Sequence, residues 1–124
     1  MNMPEHLSVE DRYCRYCPLG PYTLVEAVEL VTHAIAWCHE HRQPRLLADV
    51  TRIYGFAVPT LVDRFWMVQD WAQAGGSVVT LSMVVHAHYI DPGKFGVRAA
   101  RDAGLHCDVF PVHEDAVAWL IART

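Results

Sequence analysis

Two spacings in this chain could hold a metal. Cys14-x-x-Cys17 and Cys38-x-x-His41 together carry three thiols and an imidazole, all good zinc ligands, in the paired arrangement that structural zinc sites use. The expected local geometry works against it. Residues three apart on an extended strand face opposite ways, and Cys38 falls on the apolar stripe of a helix, where a free cysteine behaves as a small hydrophobe. Redox chemistry of the thioredoxin kind needs a helix N-terminus to lower a thiol pKa, and Pro18 stands there instead. The reading is therefore no metal, no cofactor, and four reduced cysteines, too few and too irregular for a disulfide framework.

A second cluster, His86 and His88 with Tyr89 and Asp91, lies after the most apolar segment of the chain. Alternating on a strand end, the two imidazoles would share a face and could take a metal or an anion, or with Asp49 serve an enzyme. Without a third ligand nearby, imidazoles bonded to backbone or solvent are the simpler reading. His33, His39, His41, His106 and His113 read as surface or loop residues. No Gly-x-Ser-x-Gly elbow, Gly-rich phosphate loop or dinucleotide fingerprint is present, and Ser77 and Ser82 sit in or beside a core strand. A non-enzymatic protein is the expectation.

These residues need elements to position them. The segment 7–17 reads as a hairpin or a single strand with a frayed lead-in. Thr23 with Glu26 forms a Thr-x-x-Glu capping box, opening a first helix to about residue 42 with Leu24, Ala27, Val28, Val31, Ile35 and Cys38 on its buried stripe. Pro44 blocks continuation, and Leu46, Leu47, Ala48 and Val50 make a core strand. After the 51–59 loop, Thr60 with Asp63 repeats the capping pattern, with Leu61, Phe65, Val68 and Ala72 as the buried stripe and Gly75 and Gly76 as the stop. Residues 78–85 form a central strand, Asp91 and Pro92 an N-cap and first helical position, and Gly104 the end of that third helix. A short strand at Cys107, Val109 and Phe110 precedes a last helix with Glu114 and Asp115 in its first turn and Val117, Leu120 and Ile121 docking it. Trp37, Trp66 and Trp71 lie partly off the apolar stripes, so an aromatic patch for a partner competes with ordinary packing.

The order β, α, β, α, β, α, β, α predicts a mostly parallel sheet of four to five strands, with right-handed crossovers placing helices on both faces. Ligand sites in such sheets lie beyond the carboxyl ends of the strands, at the loops 51–59 and 86–91. With 124 residues, 52% hydrophobic and 19% charged, the chain suits one self-folding domain, residues 20–124, with 1–19 as an extension carrying the first strand or hairpin. A net charge of −4 without a Lys/Arg cluster excludes nucleic acid and anionic membrane as expected partners. A charged N-terminus and no apolar run of bilayer length point to a cytoplasmic protein without membrane insertion.

Three segments, LLADVTRIYGFAVPT, YIDPGKFGVRAARDAGL and VFPVHEDAVAWL, make the stretch from Gly20 to Ala122 resemble the STAS/SpoIIAA-like superfamily, the fold of bacterial anti-sigma-factor antagonists, and especially its stand-alone branch. The resemblance implies a signalling domain that binds a kinase-like partner. In the antagonists a serine at the start of the helix after the second core strand is phosphorylated to control that binding. Here the loop has no serine, and the nearest residue, Thr60, has a sufficient role as N-cap.

The leading expectation is a non-enzymatic regulatory domain that docks a protein partner, a homodimer included, through a surface of Thr51, Tyr54, Gly55, Phe56 and Thr60, with His86 and His88 beside it. Phe56 is its expected aromatic anchor. The alternative is a small-molecule or lipid-binding domain using the crevice between residues 51–56 and 86–91, since the superfamily's fold resembles lipid-carrier domains.

Overall fold

The structure, a computed structural model, describes residues 2–122. The 7–17 segment is a hairpin, with β1 (Leu7–Val9) antiparallel to β2 (Cys14–Tyr16). Beside β2 lie β4 (Arg45–Asp49), β6 (Thr80–Val84) and β7 (Cys107–Phe110), all parallel, so the hairpin is an edge of the sheet itself. The result is an α/β fold with a mostly parallel, mixed five-stranded sheet in the order β1-β2-β4-β6-β7. A second, two-stranded ladder pairs β3 (Gly20–Pro21) with β5 (Ile53–Tyr54) and gives the 51–59 segment a fixed position.

Four helices complete the domain: α1 (Leu24–Glu40), α2 (Leu61–Gly75), α3 (Phe95–Asp102) and α4 (His113–Ile121). Both Thr-led capping boxes form. The Thr23 hydroxyl accepts from the Glu26 N–H and the Thr60 hydroxyl from the Asp63 N–H, while each carboxylate accepts from its cap's own N–H. At the other end of α2, Gly76 takes φ +57, the left-handed conformation that glycine adopts at least cost, with the His39 ring 2.5 Å from where a Cβ would sit.

Register explains the layers. Cys14, Leu46, Leu81 and Cys107 are successive partners across the four parallel strands, and Tyr16, Ala48, Met83 and Val109 form the next row on the same face. Both rows meet α1, α2 and α3, in one apolar cluster with Ile35, Cys38, Val68, Trp71 and Ala100. The intervening positions Leu47 and Val84 face the other way, against Ala116 and Leu120 of α4. Both faces are covered, but not by the expected division of crossovers. The strand order is sequential through the parallel part, so crossovers of one hand put all three connecting helices on one face, and only the terminal helix covers the other. Ser82, fully buried on the α4 side, donates its hydroxyl to the Ala116 carbonyl and locks that helix down.

Several local expectations are corrected. In α2 the buried stripe is Val68, Trp71, Ala72 and Gly75, whereas Leu61 and Phe65 are exposed. Trp37 (6% exposed) and Trp71 (4%) are core residues. The Trp71 indole N–H donates to the Val28 carbonyl and ties α2 to α1, while Trp66 is 62% exposed. The third helix starts at Phe95 rather than Pro92, because Lys94 takes a left-handed φ of +50 and Asp91 caps across the turn, its Oδ2 accepting from the Phe95 N–H at 2.9 Å. Among the described residues no helix is long and apolar enough to cross a membrane.

Candidate functional site

The space between sheet and helices does not close at the carboxyl ends of the strands. A cavity of about 140 Å³ lies there, bounded by Met83, Val85 and Val109 from the sheet, Leu24, Ala27, Val28 and Val31 from α1, Met67 and Trp71 from α2, and Val97 from α3. Its walls are apolar. The polar groups gather at one side, where His86, Tyr89, Asp91, Lys94 and Arg64 line it.

Its roof is the pair of loops read from the sequence, and the structure brings them together. His86 Nε2 lies 3.0 Å from the Thr51 carbonyl, and the Phe56 and Tyr89 rings pack at 6.1 Å. Arg64 clamps both loops. Its Nε donates to the Pro59 carbonyl at 3.1 Å and its Nη1 to the Tyr89 carbonyl at 2.8 Å. The β3–β5 ladder holds the first loop from the other side. Gly55, at φ +107, lets the chain pass so close to Tyr22 that a Cβ would stand 2.9 Å from its carbonyl oxygen. Gly55 is explained by that approach.

Phe56 is half-buried against Tyr89 and lines the cavity, so it does not stand out as an exposed anchor; the exposed aromatic of this loop is Tyr54. Thr51 is half-buried and Thr60 exposed, its hydroxyl engaged as N-cap. His86 and His88 follow the strand rather than alternate on it. A 3-10 turn over Ala87–Tyr89 stacks their rings at 5.8 Å, with Tyr89 4.5 Å from His88. Among the described residues no group of three or more His, Cys, Asp or Glu is placed to hold a metal ion.

The zinc spacing dissolves in three dimensions. Cys14 and Cys38, both fully buried, share a hydrogen bond in the core that lowers the Cys14 thiol and raises that of Cys38, burial adding to the latter rise. His41 instead stacks on Trp37 with ring centroids 4.1 Å apart. Burial pushes the Cys107 thiol up to about 12.

Asp49 does not join His86 and His88. It lies on the α4 side of the sheet, where its Oδ1 accepts from the Thr51 hydroxyl (2.6 Å) and N–H (3.1 Å) and its Oδ2 meets His113 Nδ1 at 3.3 Å. Burial alone would raise the carboxyl, but the Thr51 hydrogen bonds and then His113 outweigh it and hold Asp49 below the ordinary carboxylate range. His113, half-buried at the start of α4, is therefore not a free loop residue. Sequence reasoning passed over Arg64 as well. The available signal was spacing: Arg64 stands four residues before Val68 and seven before Trp71, on the buried stripe of its own helix.

The other feature of the region is an apolar face turned to solvent. Leu61, Val62 (67% exposed), Phe65 and Trp66 occupy one side of the first half of α2, with the exposed Tyr54 and Val58 in the loop before it. Comparison with family models, curated proteins and solved structures finds no match to this chain.

Proposed function

We propose that this chain is a non-enzymatic, STAS-like regulatory domain that binds a small ligand in the cavity at the carboxyl ends of its strands. The observation that carries the reading is the cavity itself. It is apolar, roofed by two loops that one arginine and one histidine tie together, and it lies where ligands of parallel sheets bind. Support for the STAS-like part is the sequential parallel order with its antiparallel edge hairpin, alongside the resemblance of the three segments. Size narrows the occupant. About 140 Å³ is far below the roughly 300–1,000 Å³ of sites for drug-sized ligands, so a dinucleotide or an intact lipid does not fit, and one small apolar body does.

Toluene, a neutral probe of that size, should raise the melting temperature of the wild-type protein and leave Ala27→Leu, which fills the cavity from α1, unshifted. At a hundredfold excess over Kd the stabilisation should be about 2.7 kcal/mol. Equal response of both proteins, or none in the wild type, removes the reading.

A second reading is favoured by the apolar face of α2. The resemblance places partner docking at the start of this helix, and Leu61, Val62, Phe65 and Trp66 are exposed there together. In this reading the partner is a second copy of the chain, because a face without clustered charge can meet its own copy without repulsion. Light scattering should then show a dimer that Trp66→Asp converts to monomer at unchanged stability; a wild-type monomer at several hundred micromolar ends it.

A further inference from the structure

We propose that the cavity selects a small carboxylate with a single-ring-sized apolar body, and that Arg64 is the residue that receives its charge. The inference rests on the ligand-binding reading above and names its ligand class. An engineered apolar cavity on the order of 150 Å³ takes benzene, so a pocket of about 140 Å³ has room for one ring or a six-carbon chain.

The charge argument comes from how the cations at the rim are satisfied. Lys94 is neutralised: its Nζ is 2.7 Å from Asp108 and lies over the Phe110 ring. Arg64 is not. It is half-buried, lines the cavity, and spends two of its N–H groups on the Pro59 and Tyr89 carbonyls. A guanidinium carries five such donors, and among the described residues no carboxylate pairs with this one. Placing a guanidinium against an apolar cavity without a counter-anion is unfavourable, and a carboxylate is the group its planar fork fits best. Asp91, the acidic residue on the same rim, turns its Oδ2 to the start of α3, where it accepts from the Phe95 N–H at 2.9 Å, and forms no ion pair with Arg64.

The two hydrogen bonds also make the arginine rigid. Its orientation is set before any ligand arrives, so less freedom is lost when the ligand binds. Because both acceptors are carbonyls of the roofing loops, a ligand drawn to Arg64 would sit at the seam between them.

Calorimetric titration of the wild-type protein with benzoate against benzyl alcohol, and hexanoate against 1-hexanol, tests this at neutral pH. Each acid should bind at least tenfold tighter than its alcohol, and the better pair tells an aromatic from an aliphatic body. Arg64→Gln should abolish the preference, bringing the acid down to its alcohol, in a variant whose cooperative thermal unfolding shows that it is folded. Lys94→Met should keep the preference. Alcohols binding as tightly as acids would overturn the charge assignment and leave the cavity reading standing. Loss of preference in Lys94→Met but not in Arg64→Gln would move the assignment to Lys94. No binding by acids, alcohols or toluene would overturn both.

Discussion

The layer between sheet and helices has two ends that differ in kind. At the end where the parallel strands begin, Cys14, Leu46 and Leu81 in one register row meet Ile35 and Cys38 of α1, all fully buried. Gly75 of α2 is buried there beside Ile35, Val79 and Leu105. One row further along the same strands, the space is left unfilled: Met83 and Val109 face a cavity, and Leu24, Val28 and Met67 among the helix residues above it are only partly buried. One apolar composition thus serves close packing at one end and leaves an unfilled space at the other. The difference lies in what closes the layer: helices alone at one end, helices and two loops at the other.

That contrast can be broken by paired truncations. Leu81→Ala, at the filled end, should cost about 2–5 kcal/mol in urea denaturation, the range for removing a buried leucine from a packed core. Met67→Ala, which enlarges a space already present, should cost clearly less. Equal losses would mean that the two ends are packed alike.

Thr60→Ala sharpens the comparison from the loop side. The capping box starts α2 at the edge of the open end, and its loss should lower stability by about 1 kcal/mol, read as a drop in melting temperature. Retention of wild-type stability would show that the first turn of α2 is held by the Arg64 clamp rather than by its cap.

The smallest effect is expected on the opposite face of the sheet. Because the Asp49 pKa is depressed in the folded protein, its contribution is present above the unfolded-state value near 3.8 and is lost as pH falls through the lower folded-state value. The acid limb of the wild-type stability curve should therefore be steeper than that of Asp49→Asn below pH 4, the two curves converging in strong acid. Parallel curves from pH 2 to 5 would show that the Thr51 and His113 bonds do not bias the carboxyl.

Much of this was legible in the chain. Capping boxes at Thr23 and Thr60, the breaks at Pro44 and Gly76, and the apolar runs around Leu47 and Leu81 are local signals, each complete within a few residues. So was the meeting of the 51–59 and 86–91 loops, because strands of a parallel sheet deliver their following loops to one edge. The stripe of α2 was harder. Apolar residues occur on both sides of its first half, so periodicity alone could not tell Leu61 and Phe65 from Met67 and Trp71.

What the sequence by itself determined is where α1 and α2 begin and end and which segments become the core strands, since those choices rest on backbone hydrogen bonds and turn chemistry among near neighbours. Only the tertiary structure decided that three crossover helices share one face, that Asp49 meets His113 across 64 positions, and that Arg64 spans two loops beside an unfilled space. Those depend on which strands pair and on how far helices stand from the sheet, quantities that involve contacts between residues remote in the chain and leave no local mark in it.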